Sequence, residues 1–300
     1  MTLRGPDFFI VGAPKCGTTA MTDYLGQHPE IGMCERKETQ HFATDLHPRF
    51  KRWDGHWSTQ DEYRRLFKGV QDRKRLGEAS VWYLYSSAAP REIKDFCPAA
   101  DIIAMLRNPY EKLPSLHSQF LVQAIEPVES FERALALDEE RERSGAPHGF
   151  PPRSYRSAAQ YAEQLRHYID AFGRDKVHVI IYDGFRDRTL DTYRATCEFL
   201  GVDPGFVPEI RVVNANKRVR SRTLRNFQQR TPAPVRRVLH GATPRALRRK
   251  TGSIITRWNT SVEPREPVPD RVAKSLRPLV TREVSELRGL LGVDLSFWLE

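Results

Sequence analysis

The chain has 300 residues, of which 39% are hydrophobic and 29% are charged, and it carries a formal net charge of +10 at pH 7. This composition is too apolar and too aromatic for a disordered protein, and no stretch approaches the roughly 18 to 20 apolar residues of a membrane-spanning helix. The N-terminal residues show no apolar segment followed by a small-residue cleavage site, so we expect no secretory signal. The four cysteines have spacings that suit neither a zinc site nor a disulfide framework, which predicts a reducing, cytoplasmic location.

The first unit of the chain is predicted to be a strand, a loop and a helix. Residues 7–13 (DFFIVGA) form a short apolar run that predicts a buried strand, and the loop PKCGTT follows it directly. Beyond the loop, apolar residues at helical spacing predict a helix that stops before His28-Pro29. The loop therefore joins the carboxyl end of a strand to the amino end of a helix.

Three more strands are predicted downstream, and helices separate them. The strand predictions cover 77–85 (GEASVWYLY), 101–109 (DIIAMLRNP) and 176–185 (KVHVIIYDGF). Helices are predicted over 88–98, 110–125, 131–143 and 157–173, over a stretch that ends at Gly201, and over 270–292, with a Gly/Pro-rich loop at 145–152. Strands that alternate with helices predict an α/β fold with a central parallel sheet flanked by helices.

Ligands of parallel sheets bind beyond the carboxyl ends of the strands. The loops that follow the strands at 7–13 and 101–109 are PKCGTT at 14–19 and RNPYEK at 107–112. We therefore expect these two loops to face the same crevice.

The positive charge is concentrated between Arg211 and Thr260. This segment holds 14 Lys and Arg and no Asp or Glu, which exceeds the whole formal excess of +10, so the rest of the chain is net negative. Such a block favours an anionic partner, which can be nucleic acid, an acidic membrane surface or a phosphorylated or sulfated small molecule. Few aromatic residues are available to stack bases, which disfavours nucleic acid, and a solubilising basic surface explains the charge alone equally well.

The loop after the first strand has the residues of a phosphate-binding site. Gly17 permits a close approach of the backbone, the amides at the start of the helix point at an anion, and the helix dipole favours negative charge there. Thr18 and Thr19 add hydroxyl donors, and Lys15 adds a positive charge. A Walker A loop has its Lys directly after the second Gly, whereas this Lys precedes Gly17 by two residues. The structural alternative is a tight turn between strand and helix that binds no ligand.

The string GAPKCGTT resembles the 5′-phosphosulfate loop of sulfotransferases that use 3′-phosphoadenosine 5′-phosphosulfate (PAPS), above all their bacterial and heparan-sulfate-type branch. Arg107-Asn108-Pro109 together with Ser115 is similar to the family's 3′-phosphate motif, with Lys112 where many members have Arg. Glu78-Ala79-Ser80 resembles a further family segment, with Val81 in place of its Pro. The resemblance implies a P-loop-like three-layer sandwich that forms a single domain over 1–300.

The resemblance also implies roles for residues in three segments. Lys15 would stabilise the oxygen that leaves during transfer, and Arg107 and Ser115 would bind the 3′-phosphate. The 5′-phosphosulfate would be bound by Pro14, Lys15, Cys16, Gly17, Thr18 and Thr19. In the family a loop near VVNANKRVRSRTL closes over the nucleotide, so further candidates are Lys217, Arg218, Arg220 and Arg222, with Asn214 and Asn216 as hydrogen-bonding partners. No metal is implied.

The candidate base lies in the segment RKETQHF at 36–42. In heparan-sulfate-type members a K-E-x-[HQ]-[FY]-F segment supplies a glutamate base, and Glu38 matches that glutamate, with Lys37 beside it. Gln40 matches the His/Gln position and His41 the aromatic that follows, which leaves His41 as a second base or a substrate contact. A carboxylate suits the deprotonation of a sugar hydroxyl if partial burial raises its pKa toward neutral. The alternatives are a solvated surface Glu38 and a structural His41.

The leading hypothesis is a PAPS-dependent sulfotransferase that acts on a hydroxyl or amine of a glycan, a glycolipid or a secondary metabolite. The second hypothesis is a P-loop nucleotide kinase or ATPase, which the displaced Lys disfavours. The third is a non-catalytic binder of nucleic acid or of an anionic glycan. We expect no nucleic-acid partner, and peripheral membrane contact through the basic segment remains open.

Overall fold

The computed structural model describes residues 3–46, 59–123, 125–143, 152–211, 217–219, 260–262 and 268–300. Five strands form a central sheet: β1 (Phe8–Gly12), β2 (Ile31–Met33), β3 (Arg75–Ala79), β4 (Asp101–Leu106) and β5 (Val177–Ile181). All four strand pairs are parallel, and the order across the sheet is β2-β3-β1-β4-β5. Every residue of β1 and β4 is buried, so these two strands form the centre of the core. The expected α/β fold with a parallel sheet is confirmed.

Helices connect the strands and flank the sheet. They are α1 (Thr18–Leu25), α2 (Gln60–Arg65), α3 (Ala89–Phe96), α4 (Pro109–Val122), α5 (Phe131–Ala136), α6 (Asp138–Arg143), α7 (Tyr155–Ala158), α8 (Tyr161–Phe172), α9 (Tyr182–Asp187), α10 (Thr189–Leu200) and α11 (Asp270–Leu291). Parallel neighbours with helical crossovers bring the carboxyl ends of β3, β1 and β4 to one edge of the sheet.

Three strands end earlier than the sequence predicts. The prediction over 101–109 is wrong beyond Leu106, because Asn108 caps α4 and the helix begins at Pro109. The prediction over 77–85 is wrong beyond Ala79: Ser80 N still donates to Ile10 O of β1 (3.2 Å), but Tyr83 N then donates back to Ser80 O (3.2 Å) in a turn. The prediction over 176–185 is wrong beyond Ile181, because its partner Leu106 is the last residue of β4 and the chain continues as α9. Beyond β3 the apolar run continues and residues 81–84 are buried in the turn, whereas beyond β5 only Phe185 of the predicted strand is buried, on α9.

Two predicted helices are interrupted. Residues 131–143 form α5 and α6 on either side of Leu137, and the stretch 157–173 is covered by α7 and α8. The break at Leu137 places Asp138 where its carboxylate accepts hydrogen bonds from Tyr155 N (2.9 Å) and Arg156 N (2.8 Å) at the start of α7. By contrast, α4 runs through Pro114 as predicted.

Part of the basic segment is a strand. β6 (Lys217–Val219) pairs antiparallel with β7 (Thr260–Val262), and β6 lies against α4. Asn214, Asn216, Arg220 and Arg222 lie outside the described residues, as does most of the predicted loop at 145–152.

The predicted C-terminal helix is α11, and it packs behind the candidate nucleotide-binding edge. Glu283 Oε2 accepts a hydrogen bond from Ala162 N at the start of α8 (3.0 Å). Beyond α11, the carbonyl of Trp298 accepts from Asn108 Nδ2 (3.4 Å), and its indole donates to Asp183 Oδ2 (3.3 Å). Within the described ranges, no helix has both the length and the hydropathy that crossing a membrane requires.

Candidate active site

The loop between β1 and α1 has the backbone of an anion site. Lys15 and Gly17 both adopt left-handed conformations, with φ of 70° and 89°. A Cβ at Gly17 would also lie 3.1 Å from the ring of Tyr182 and 3.2 Å from that of Phe185, so this position favours glycine. Gly17 precedes the first turn of α1, and no side chain caps the helix there. The amides of a first helical turn have no partner within the helix, so an anion can satisfy them.

The side chains of the loop divide between the core and the crevice. Pro14, Cys16 and Thr18 are buried, whereas Lys15 and Thr19 are partly exposed. The thiol of Cys16 lies 3.6 Å from Pro14 O and 4.0 Å from the hydroxyl of Tyr161. Burial raises the pKa of Cys16, so the thiol stays protonated at neutral pH. Cys16 therefore shapes the loop from the inside of the protein.

Arg107 follows β4 and contacts the loop directly. Its Nη1 donates to Lys15 O (3.3 Å), while its Nε and Nη2 donate to Glu111 Oε2 at 2.8 and 2.5 Å. The guanidinium carbon lies 4.4 Å from the ring centre of Tyr182, in a cation–π arrangement. The loop and Arg107 thus lie together at the carboxyl edge of the sheet, as the sequence analysis expects.

Two tyrosines at this corner were not among the candidates from sequence. Tyr182 is the first residue after β5, and its ring supports the guanidinium of Arg107. Tyr161 is fully buried, and its hydroxyl donates to Arg107 O (2.8 Å). Tyr182 lies inside the predicted strand over 176–185, so only the structure shows that it directly follows β5. Tyr161 belongs to the apolar face of a helix, so the sequence does not distinguish it from an ordinary core residue.

Glu38 lies at the edge of the same crevice, beyond the carboxyl end of β3. Its amide donates to Ala79 O (2.9 Å), which fixes the 38–40 segment to the strand. Its Oε2 accepts from Val81 N (3.0 Å) and Gln40 Nε2 (2.9 Å), and its Oε1 accepts from Lys37 Nζ (2.7 Å). The Glu38 side chain is 36% exposed, so the carboxylate is oriented by the protein and still accessible. Glu38 and Gln40 both have left-handed backbone (φ 63° and 54°), which is uncommon for non-glycine residues.

A second carboxyl group, Glu78, is completely buried beneath the 38–40 segment. Ser80 Oγ donates to Glu78 Oε1 (2.5 Å), and the same Oγ accepts from Gln40 N (3.1 Å), so Glu78 is linked to the backbone that follows Glu38. Tyr63 Oη donates to Glu78 Oε2 (3.3 Å). Burial raises the pKa of Glu78 to about 7, against hydrogen bonds from surrounding hydroxyls that lower it. The sequence analysis noted Glu78 only as part of a motif.

His41 has an aromatic environment. Its ring stacks on Tyr63, with ring centres 4.3 Å apart and planes 4° apart, and meets Phe42 edge-on at 4.7 Å. Tyr63 and Phe42 are themselves buried. This packing is what a structural histidine shows, and the catalytic role of His41 stays a prediction.

The other candidates for the 3′-phosphate lie on or beside α4. Ser115 is buried on α4, eight residues after Arg107. Lys217 and Arg218 lie on β6, the strand that packs against this helix. Their contacts with a nucleotide stay predictions.

The known proteins that resemble this chain are sulfotransferases. A crystal structure of a sulfotransferase from Alicyclobacillus acidocaldarius is 30% identical, with a TM-score of 0.74, and the match covers 99% of this chain and 100% of that chain. Human heparan sulfate glucosamine 3-O-sulfotransferase 6 is 28% identical over 173 residues, which are 56% of this chain and 44% of that protein. The membrane-associated sulfotransferase kil1 of Dictyostelium discoideum is 27% identical over 107 residues, which are 36% of this chain and 21% of that protein. The chain thus spans less than half the length of these curated relatives.

The model of the sulfotransferase domain matches residues 5–233, which is well over half of the chain. This match agrees with the parallel sheet, with the loop after β1 and with Arg107 at the adjacent strand end. The chain belongs to the sulfotransferase family.

Proposed function

We propose that the protein transfers a sulfuryl group from PAPS to a hydroxyl group of a carbohydrate acceptor. The observation that carries this proposal is the hydrogen bond from Arg107 Nη1 to Lys15 O (3.3 Å). It brings a guanidinium, the preferred partner of a phosphate, against a loop built for a second phosphate. PAPS is a nucleotide with phosphates at both ends of its ribose, so its two phosphate groups fit these two adjacent sites.

The nucleotide fits the residues of this edge. The left-handed Gly17 and the uncapped start of α1 provide amides for the 5′-phosphosulfate, with Thr18 and Thr19 as hydroxyl donors. In our proposal Arg107, Ser115, Lys217 and Arg218 bind the 3′-phosphate. Pro14 and Cys16 hold the loop in shape from its buried side.

The reaction moves one sulfuryl group and one proton. The bond between sulfur and the bridging oxygen of PAPS breaks as a bond forms between sulfur and the acceptor oxygen. The acceptor proton passes to Glu38, whose carboxylate is fixed by Val81 N and Gln40 Nε2 and remains accessible. Negative charge builds on the departing 5′-phosphate, where Lys15 and the amides of the loop stabilise it. The products are the sulfated acceptor and 3′-phosphoadenosine 5′-phosphate (PAP).

The carbohydrate acceptor is proposed from similarity. The human relative is named a glucosamine 3-O-sulfotransferase, and a sugar hydroxyl has a proton that a fixed carboxylate can accept. Glu38 matches the glutamate base of that branch, and its position at the carboxyl edge of β3, one strand from the phosphate loop, supports the assignment.

The first experiment measures nucleotide preference by calorimetry. PAP should bind at least ten times more tightly than AMP, because one charge-assisted contact to the 3′-phosphate is worth about 1.5 to 3 kcal/mol. Equal affinities for PAP and AMP would reject the proposal.

The second experiment identifies the acceptor. The protein and PAPS are incubated with a panel of oligosaccharides and with lysate metabolites, and mass spectrometry searches for products that have gained a sulfuryl group. Activity that persists in EDTA separates the proposal from a kinase or ATPase, whose phosphoryl transfer needs Mg²⁺. Sulfation confined to non-carbohydrate molecules would overturn the acceptor class and leave the reaction in place.

A further inference from the structure

Lys112 lies in the middle of the candidate 3′-phosphate motif, on α4, yet it does not face the crevice. Its side chain is completely buried, and its Nζ donates a hydrogen bond to the carbonyl of Ala158 at the end of α7. The Nζ also lies 4.4 Å from the ring centre of Tyr161. Among the described residues, no carboxylate forms an ion pair with it. The sequence motif suggests that Lys112 contacts a phosphate, but in the structure its ammonium group is buried.

The neighbours of Lys112 are the parts of the protein that hold the nucleotide edge together. The hydroxyl of Tyr161, on whose ring the ammonium rests, donates to Arg107 O (2.8 Å) and lies 4.0 Å from Cys16 Sγ. Cys16 belongs to the loop after β1, and Arg107 follows β4. Lys112 and Tyr161 thus form one buried unit behind both candidate phosphate sites.

Three cationic side chains and one acidic side chain act on this unit. Lys112, Arg107 and Lys15 all act on the thiol of Cys16, each lowering its pKa against the larger effect of burial. Glu283 is the acidic group that acts on Lys112, and it raises the pKa of the ammonium, but its carboxylate accepts a hydrogen bond from Ala162 N of α8 and forms no ion pair with Lys112 among the described residues. Glu111 pairs with Arg107. A buried ammonium without an ion pair is costly, and a bound dianion a short distance away offsets that cost.

We propose that Lys112 is a positioning residue of the nucleotide site, which strengthens binding of the phosphates through space and holds Tyr161 against the backbone of Arg107. This inference rests on the proposed function, because the anion it requires is the nucleotide. It also explains why the motif has a cation at position 112 although this cation does not contact a phosphate.

The charge of Lys112 makes the proposal measurable. Burial lowers the pKa of Lys112 to about 8, so in the unliganded protein the group is half neutral near that pH. A phosphate dianion nearby favours the charged form, so binding should draw in a proton. Cys16 and Tyr161 have raised pKa values and stay protonated at this pH, and nucleotide phosphates, with a second pKa near 6, are already ionised.

The experiment is calorimetry of PAP binding at pH 8 in buffers of different ionisation enthalpy. The unmodified protein should take up about 0.3 to 0.5 proton per PAP, and its affinity should fall about five-fold between pH 7 and pH 9. K112M should bind PAP about ten-fold more weakly at pH 7, without proton uptake. K112R should keep most of the affinity and also lose the uptake, since a guanidinium does not titrate in this range. The exposed Lys68 provides the control variant K68M, which should match the unmodified protein.

The outcomes separate the two proposals. Equal binding of PAP and AMP would reject the proposed function. A preference for PAP without proton uptake at pH 8, or with uptake retained in K112M, would reject the role of Lys112 alone. The measurement on the unmodified protein needs no variant, so the test stands even if K112M fails to fold.

Discussion

The two halves of the candidate site, on either side of β1, carry opposite charge. On the β4 side, Lys15, Arg107 and the buried Lys112 gather around the loop after β1. On the β3 side, the carboxyl groups of Glu38 and Glu78 are linked through Gln40 and Ser80. The cationic half suits a nucleotide with two phosphate groups, and the acidic half suits proton removal. A transfer reaction needs both at one place, and adjacent strand ends of a parallel sheet provide that arrangement.

The two halves also differ in how they are built. The cationic half consists of two short segments, each directly after a buried strand. Backbone groups form most of its candidate anion site. The acidic half is assembled from residues 38–42, Tyr63 and 78–83, with two strained backbone positions held by a hydroxyl network. We therefore expect substitutions in the acidic half to change rate and stability, and substitutions in the cationic half to change affinity as well as rate.

The largest expected effect is that of E38Q, which tests the acidic half. Loss of the proposed base should reduce the rate of sulfuryl transfer by about 10² to 10⁴. The measurement is the rate of product formation with an acceptor found by mass spectrometry, together with PAP affinity by calorimetry, which should stay within a factor of about two. E35Q, at the exposed glutamate three residues earlier, is the matched control. A fast E38Q enzyme would remove Glu38 from the mechanism and reopen the role of His41.

K15M should have the next largest effect, on the cationic half. In the proposed reaction Lys15 stabilises charge on the leaving phosphate, so the rate should fall by about 10² to 10³ while PAP binding weakens less. Rate and affinity measured on the same preparation test this split. A loss confined to affinity would make Lys15 a binding residue only.

R107M should weaken PAP binding by about 10 to 100-fold and leave AMP binding almost unchanged. The ratio of the two dissociation constants is the informative quantity, because a general disturbance of the loop would weaken both ligands. R186M, at the partly exposed Arg186 that pairs with Asp187, is the control for removing an arginine nearby. A parallel loss of PAP and AMP affinity would place the 3′-phosphate elsewhere.

The last prediction concerns stability instead of activity and tests the buried Glu78 with E78Q. The pKa of Glu78 is about 7 in the folded protein and near 4.5 when unfolded, so the unfolded chain releases its proton first as the pH rises. The contribution of Glu78 to the free energy of unfolding is therefore greatest at low pH, and it decreases as the pH rises from about 4.5 to about 7. Between pH 5 and pH 8 the wild type should therefore lose about 2 to 3 kcal/mol more stability than E78Q.

Urea unfolding at the two pH values measures this difference, and E132Q at an exposed glutamate should show no such change. An identical pH dependence in wild type and E78Q would show that Glu78 has an ordinary pKa. A gain in stability at pH 8 combined with slower transfer would show that the buried carboxyl is kept for function.

The sequence predicts the cationic half well and the acidic half only partly. GAPKCGTT and Arg107 can be read directly because an anion site made of backbone amides needs a contiguous stretch at a strand end. Ser80 and Tyr63 come from distant segments, and only the folded sheet shows that they share Glu78. Likewise, a fully buried Lys112 cannot be told from a phosphate contact by spacing alone, and the ends of β3 and β5 depend on where their partner strands stop.

Trp298 has a practical consequence. The residue is 1% exposed, its indole N–H is bonded to Asp183, and its carbonyl accepts from Asn108, the neighbour of Arg107. The fluorescence emission of a buried, hydrogen-bonded indole changes when the groups around it move. The protein thus carries its own optical probe, and the difference in fluorescence between wild type and W298F should follow nucleotide occupancy without any label.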